Sequence, residues 1–172
     1  MTLPFRFDVP TQFTPLDLAS SPEDRIERTT RRMAEVWPDS TEGQRDAITS
    51  TQELLIERLR SNGVRYAATV LEPAVPTTGL FTVSLHRVDI ADPLTPLADA
   101  LRPHAEVHDL DTRLGRMLAI GHHRDGVRQM QVALPLPHRK TMALFGISTE
   151  HLSEWETYTL HLVNVVGTVR PG

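Results

Sequence analysis

The hydrophobic positions of residues 21–38 repeat at the spacing of an amphipathic helix. Ser21 is a typical N-cap residue, and Pro22 stands at the first helical position, where a missing N–H costs nothing. Pro38 ends the helix. The pattern predicts that this helix turns one stripe inward, formed by Ile26, Thr30, Met33 and Trp37.

A second helix is predicted from Thr41 to about Ser61. Thr41 and Gln44 have the spacing of a capping box, and Asn62–Gly63 supplies a left-handed stop. Apolar residues recur at intervals of three or four residues, which favours a helix that faces the core over one that faces a partner. The predicted core-facing residues are Ala47, Ile48, Leu54, Leu55 and Leu59.

From Val64 onward the apolar residues recur at every second position, as in half-buried strands. An earlier strand around Phe5–Val9 ends at Pro10 and is predicted to be an edge strand. Asp125–Gly126 is the strongest hairpin signal, since this pair tolerates the positive φ angles of a tight turn. A proline-rich hairpin loop is predicted at 72–79. The later strands are predicted at 64–70, 81–85, 105–110, 114–122, 127–136 and 141–148.

Two further helices complete the predicted order of elements. A short one runs from Thr95 to Leu101, and a long one starts at Ser148 or Thr149 and ends at Gly167. Helices and strands that are segregated along the chain predict an α+β fold. We expect an antiparallel sheet of about six or seven strands, packed by two N-terminal helices and a long C-terminal helix.

The composition is that of one globular domain. The chain has 172 residues, 40% of them hydrophobic, and no composition break divides it. We therefore expect a single domain over residues 1–172. Residues 1–20 are predicted to form an edge strand and a loop, and residues 168–172 a flexible tail.

Composition also disfavours several classes of function. The chain has no cysteine, which removes disulfide scaffolds, thiol nucleophiles and thiolate metal sites. A net charge of -4 and a pI near 6.0 disfavour nucleic-acid binding, because the phosphate backbone selects a basic surface. The apolar runs are far shorter than the ~20 residues of a membrane span, and the first ten residues lack the apolar segment of a signal peptide. We expect a cytoplasmic protein.

The sequence contains no recognisable catalytic, cofactor or metal motif. His104 and His108 share one face of a predicted strand but lie ~13 Å apart, too far to hold one ion. His122 and His123 point to opposite faces of their strand. No nucleophile elbow, phosphate loop or dinucleotide fingerprint is present. We predict no catalytic residue, no bound cofactor and no metal ligand, and we favour a role without catalysis.

The hairpin at Asp125–Gly126 assigns residues to the two faces of its strands. Pairing Arg124 with Val127 and counting back places Met117, Ala119, Met130, Val132 and Leu134 on a face that is apolar enough to be the core. The opposite face mixes apolar and uncharged polar groups, as on a surface that is covered part of the time. The alternative is that helices of the chain cover it. This candidate interface, for self-association or for another protein, consists of Arg116, Leu118, Ile120, His122, Gln129 and Gln131.

The second half of the chain has a layout of short motifs that is shared with a known group of proteins. A polar turn, a Gly-Arg strand, a Pro-x-Pro strand end, an apolar strand ending in Ser-Thr and an amphipathic helix follow one another at Asp109–Asp111, Gly115–Arg116, Pro135–Pro137, Phe145–Thr149 and Leu152–Val166. In roughly its last 70 residues the chain resembles proteins of high-GC bacteria related to the PsbP-like fold, which includes the Ran-binding Mog proteins and some mycobacterial lipoproteins.

The resemblance to the PsbP-like fold implies an α/β/α arrangement and a function in binding or assembly. It suggests a non-catalytic protein-interaction or accessory module of a secretion-type or other multi-protein system. The lipoprotein branch carries a lipidated cysteine that is absent here, so membrane anchoring is not implied.

The order of elements also resembles the START-type, birch-allergen-like domain. In that fold the strands curl around a long terminal helix and enclose an apolar cavity, which implies a domain that binds or transforms a small apolar ligand. Its early helices are usually short, whereas the second helix here spans ~30 Å at helical rise. This length favours the PsbP-like resemblance and leaves the cavity domain as the alternative.

We predict that the protein folds without a metal, because its histidines lack coordinating spacing and no thiol is present. Thermal melts recorded with and without a chelator should coincide. A melting temperature that falls by several degrees on chelation would contradict this expectation.

Overall fold

The structure is a computed structural model that describes residues 3–72, 77–136 and 140–172. Part of the predicted loop at 72–79, and Pro137 of the Pro-x-Pro motif, lie outside the described residues. The elements in chain order are β1 (Phe5–Arg6), β2 (Phe13–Pro15), α1 (Pro22–Val36), α2 (Glu42–Ser61), β3 (Val64–Glu72), β4 (Thr77–Arg87), α3 (Leu94–Leu101), β5 (Glu106–Thr112), β6 (Gly115–Arg124), β7 (Val127–Leu136), β8 (Thr141–Thr149), α4 (Trp155–Gly167) and β9 (Arg170–Pro171).

Seven strands form one antiparallel sheet in the order β2-β3-β4-β8-β7-β6-β5. The first and last strands, β1 and β9, pair with each other in a separate two-stranded sheet. The predicted α+β class is confirmed, with two helices between β2 and β3 and one long helix after β8. The predicted edge strand near Phe5 is β1, which pairs with β9, whereas the edge strand of the main sheet is β2, within the predicted loop. The predicted short helix is also confirmed, as α3.

The hairpin between β6 and β7 has the predicted register. Asp125 and Gly126 both have positive φ angles, 53° and 78°, as the two central residues of a type I′ turn require. Arg124 pairs with Val127, so the assignment of residues to the two faces of these strands is confirmed.

Helix α4 covers one face of the sheet. Its residues Tyr158 and Leu162 are buried against a core that includes Phe81 and Phe145. The segment that contains β1 packs on the same core, with the Phe7 ring 5.3 Å from that of Tyr66. Aromatic and aliphatic side chains therefore fill the space between α4 and the sheet.

The opposite face of the sheet carries two separate apolar clusters. Leu94 and Ala98 of α3 pack on Leu118, Ile120 and their neighbours, while α2 packs through its last turns on another group of residues. That second cluster is formed by Leu59, Val64 and Ala67, with Leu16, Leu18 and Leu80 at its edge. The helical hairpin α1–α2 and helix α3 therefore lie on the same side of the sheet, away from α4.

Two predicted boundaries near the end of the chain are different in the structure. Strand β8 continues to Thr149, so the last helix does not start at Ser148 or Thr149 but at Trp155, after a 3-10 turn at Leu152–Glu154. Residues 168–172, predicted as a flexible tail, return along the first strand: Val169 is buried, and β9 pairs with β1. Strand β8 is longer than predicted because its alternate residues, up to Thr149, face the core.

Gly79 in β4 allows α4 to approach the sheet, which gives a test of this packing. A Cβ at Gly79 would lie 2.6 Å from Cε1 of the buried Tyr158 ring, so the ring would have to move. We expect Gly79→Ala to lower the free energy of unfolding by about 2 kcal/mol and the melting temperature by roughly 6 °C. Gly43→Ala is the control, because no atom lies within 4 Å of a Cβ there. Equal melting of both variants and the parent would contradict this account.

Candidate interaction site on the helical hairpin

The six residues of the predicted interface do not form one exposed surface. Leu118 and Ile120 are fully buried beneath α3, so they are not accessible to a partner in the folded chain. His122, Gln129 and Gln131 are half-buried on the same face, where His122 pairs with Gln129 and Ile120 with Gln131. Contact of these three polar residues with a partner stays a prediction.

Arg116, the sixth member, holds α3 in place over this face. Its Nε donates to Oδ1 of Asp109 at 2.7 Å, and its Nη1 donates to Thr95 Oγ1 at 3.0 Å. Hydrogen bonding to Asp109 raises the pKa of Arg116, while the side-chain hydrogen bond from Thr95 lowers the pKa of the neighbouring Asp92. The residue thus has partners within the chain, at the N-terminal end of α3.

The helical hairpin α1–α2 buries a different set of residues from the one predicted. Ile26 and Trp37 of the predicted inner stripe of the first helix are exposed and Arg25 is buried, whereas Thr30 and Met33 of that stripe are half-buried. In α2 the prediction is confirmed for Leu59 but wrong for four residues that are exposed: Ala47, Ile48, Leu54 and Leu55. The buried residues of α2 include Thr49 and Ile56.

A buried ion pair joins α1 to α2. The Arg25 side chain is 4% exposed and that of Glu53 is 17% exposed, and Arg25 Nη2 lies 2.5 Å from Glu53 Oε2. Nε of Arg25 also donates to Oε1 of Glu53 at 2.9 Å, and Nη1 donates to the carbonyl oxygen of Ser20. The hydrogen bonds to Glu53 raise the pKa of Arg25, although burial acts in the opposite direction. An arginine with these partners can be buried where an aliphatic residue was expected.

The underside of α2 is also polar. Nε of Arg45 and Oγ1 of Thr49 are buried without a hydrogen-bond partner among the described residues, although Arg45 Nη2 donates to the carbonyl oxygen of Ser40 at 2.8 Å. An unsatisfied buried donor or acceptor costs ~1–3 kcal/mol. The hairpin therefore buries costly polar groups, although Ile48, Leu54 and Leu55 of α2 are exposed.

A cleft of about 1050 Å³ lies between α1, α2 and β2, and we call it the hairpin cleft. Three arginines of α1 line it, and Ile48, Leu55 and Leu16 supply apolar surface from α2 and the end of β2. The arginines are Arg25, Arg28 and Arg32. Ile48 and Leu55 are 39% and 36% exposed, so a bound partner could cover them further.

Asp17 is the acidic residue among those that line the hairpin cleft. The side-chain hydrogen bond from Ser20, the backbone N–H groups of Ser20 and Ala19, and Arg28 lower the pKa of Asp17 well below its usual range. Asp17 is therefore a carboxylate at neutral pH and pairs with Arg28. Arg25 is paired with Glu53, whereas Arg32 forms no ion pair among the residues that the structure describes.

No local signal in the sequence marks this site. Arg25 and Glu53 are 28 residues apart, and their pairing depends on how α1 packs against α2. The large apolar residues of the hairpin have the spacing of a core stripe, which makes the inward orientation the natural prediction. The four arginines of α1 are visible in the sequence, but they are accompanied by four acidic residues, which is typical of a solvated helix face.

The histidines form no metal centre in the described part of the chain. His104, His122 and His123 line a second pocket of about 250 Å³ together with Glu106 and Trp155. No group of three histidine, aspartate or glutamate side chains in residues 3–72, 77–136 and 140–172 could hold a metal ion. The Arg128 guanidinium lies 5.0 Å from the centre of the Trp155 ring and closes one side of this pocket.

Comparisons with known proteins return no relative for this chain: no family model, no curated protein and no solved structure matches it. Within the described residues, no helix has the length and apolar character needed to cross a membrane.

We predict that Glu53→Gln lowers the free energy of unfolding by about 3 kcal/mol, because it leaves the buried Arg25 guanidinium without a counter-charge. Glu27→Gln is the matched control on α1, since the Glu27–Arg31 pair is exposed and contributes less than about 0.5 kcal/mol. Urea denaturation measures both values.

Arg25→Met removes the buried charge itself and should cost less than Glu53→Gln. If Glu53→Gln were no more harmful than Glu27→Gln, the ion pair would not determine the packing of the hairpin.

Proposed function

We propose that the protein is a non-catalytic protein-interaction module, an accessory of a secretion-type or other multi-protein system, and that it binds its partner through the hairpin α1–α2. The multi-protein setting is suggested by the resemblance to the PsbP-like fold. The position of the binding surface is suggested by the outward apolar residues of the hairpin.

The observation that carries this proposal is the inverted burial of the hairpin. Five of the nine large hydrophobic residues that are exposed in the described chain lie on or directly beside α1 and α2: Ile26, Trp37, Ile48, Leu54 and Leu55. Scattered exposed apolar residues are ordinary, but five within one helical hairpin that buries an arginine are not. These side chains are 36% to 68% exposed, so covering each one contributes only a fraction of the ~1.5–3 kcal/mol that full burial of an apolar side chain gives.

The apolar-cavity alternative is less well supported by the packing of the core. A START-type ligand site lies between the terminal helix and the sheet. Here that space is occupied by Tyr158, Leu162, Phe81 and Phe145, all of them fully buried and in one cluster. We therefore favour a surface that binds a protein over an interior that binds a ligand.

Site-specific photo-crosslinking in the native host tests the proposal. With p-benzoylphenylalanine in place of Leu54, we expect one discrete covalent adduct with another protein, identified by mass spectrometry. The same residue in place of Arg124, at the tip of the β6–β7 hairpin, is the control and should give no such adduct. Trp37→Ser should weaken the adduct at position 54 while the melting temperature stays within a few degrees of the parent value, because Trp37 is exposed.

Two results would contradict this function. One is the same set of adducts at positions 54 and 124, which would indicate non-specific contact. The other is a small apolar molecule bound at one-to-one stoichiometry in native mass spectrometry of the purified protein, which would favour the cavity domain.

A further inference from the structure

The hairpin cleft has exposed arginines along one wall and apolar side chains along the other. Arg28 and Arg32 are four residues apart on α1, about one turn, whereas Ile48 and Leu55 are seven residues apart on α2. Seven residues correspond to about 10 Å of helix, or two turns. The cleft therefore offers charge along one side and apolar surface along the other over the length of a short helix.

The charges of the cleft are not balanced. Its lining contains Arg25, Arg28, Arg32 and the single acid Asp17, and Glu53 neutralises Arg25 from beneath. Asp17 pairs with Arg28, so the charge of Arg32 has no ionic partner in the described chain. The protein as a whole has a net charge of -4, so a cationic cleft is a local reversal of its surface charge.

We infer that the hairpin cleft binds an acidic amphipathic helix of a partner protein, with carboxylates against the two exposed arginines of the cleft and apolar side chains against Ile48 and Leu55. The inference rests on the proposed function and names the chemistry of the partner. Helices that dock into grooves do so through apolar side chains at positions i, i+3 or i+4, and i+7, which is the spacing that two turns of wall accommodate. Carboxylates on the flank of that helix would pair with Arg32 and share Arg28 with Asp17.

Selection from a displayed library of random peptides of about 15 residues tests this inference even while the partner is unidentified. Peptides selected on the parent protein should be rich in Asp and Glu and carry apolar residues at helical spacing. The strongest of them is then synthesised and its Kd is measured by fluorescence anisotropy. Added salt should weaken this binding, because exposed charges contribute to it.

Neighbouring arginines of α1 supply a matched pair of variants. Arg32 lines the cleft, whereas Arg31 is exposed outside it and pairs with Glu27. We expect Arg32→Glu to raise the Kd of the selected peptide at least about tenfold, which corresponds to ~1.4 kcal/mol. Arg31→Glu, which changes the net charge equally, should leave the Kd within about twofold. Thermal melts of both variants show whether the fold is kept.

Several outcomes would overturn the inference while leaving the proposed function intact. If the library yields no peptide or only basic or uncharged ones, or if Arg31→Glu weakens binding as much as Arg32→Glu, the cleft does not recognise an acidic helix. The crosslink at position 54 would still report a protein partner. Stoichiometric binding of decanoate with no selected peptide would make the cleft a site for small amphipathic anions.

A second copy of this chain could occupy the hairpin cleft instead of a different protein, and the experiment distinguishes the two. The outer side of α4 exposes Leu160 and Val163 beside Glu156, which is the chemistry inferred for the partner. Light scattering that shows concentration-dependent association of the parent, lost in Arg32→Glu, together with no selected peptide, would assign the cleft to self-association.

Discussion

Both faces of the seven-stranded sheet carry apolar residues, and the chain has to cover both. Helix α4 and the segment around β1 cover one face with a single large core. The other face is covered in two places. Helix α3 covers the strands at one end of the sheet, and the last turns of α2 cover those at the other end. Because α2 reaches the sheet mainly through its last turns, most of the hairpin α1–α2 has little apolar surface beneath it. The apolar side chains of the hairpin are therefore exposed, because the sheet offers them little apolar surface to pack against.

The buried Arg25–Glu53 pair joins the two helices of the hairpin. A buried ion pair contributes little net stability compared with apolar residues of similar size, since desolvation offsets most of the attraction. It does restrict geometry, because the hydrogen bonds from Nε, Nη1 and Nη2 of Arg25 can be formed together in few orientations of α1. With Arg25 turned inward, Ile26 and Trp37 are turned outward. This geometry leaves both of these apolar residues on the outer side of the hairpin.

Charge and apolar surface coincide at the hairpin cleft, and this combination connects the fold to the proposed function. Apolar side chains such as Ile48 and Leu55 would supply most of the free energy of association. The arginines of α1 would restrict which partner is accepted and accelerate the encounter, since complementary charge affects specificity and association rate more than affinity. A binding site of this kind would need no catalytic residue and no cofactor.

The sequence by itself determined the α+β class, the elements other than β2 and β9, and the register of the β6–β7 hairpin, because these depend on local signals: the caps at Ser21 and Thr41, the period of two in the strands, and the turn at Asp125–Gly126. Which helix face is buried was decided only by the tertiary structure. The periodicity of α2 marks Ile48, Leu55 and Leu59 alike, yet only Leu59 lies over the sheet. The strand pattern predicted that Ile120 lies in an interface, whereas in the structure α3 covers it. Burial depends on what packs against a residue, and the partner of Arg25 is 28 positions away, where no local pattern could indicate it.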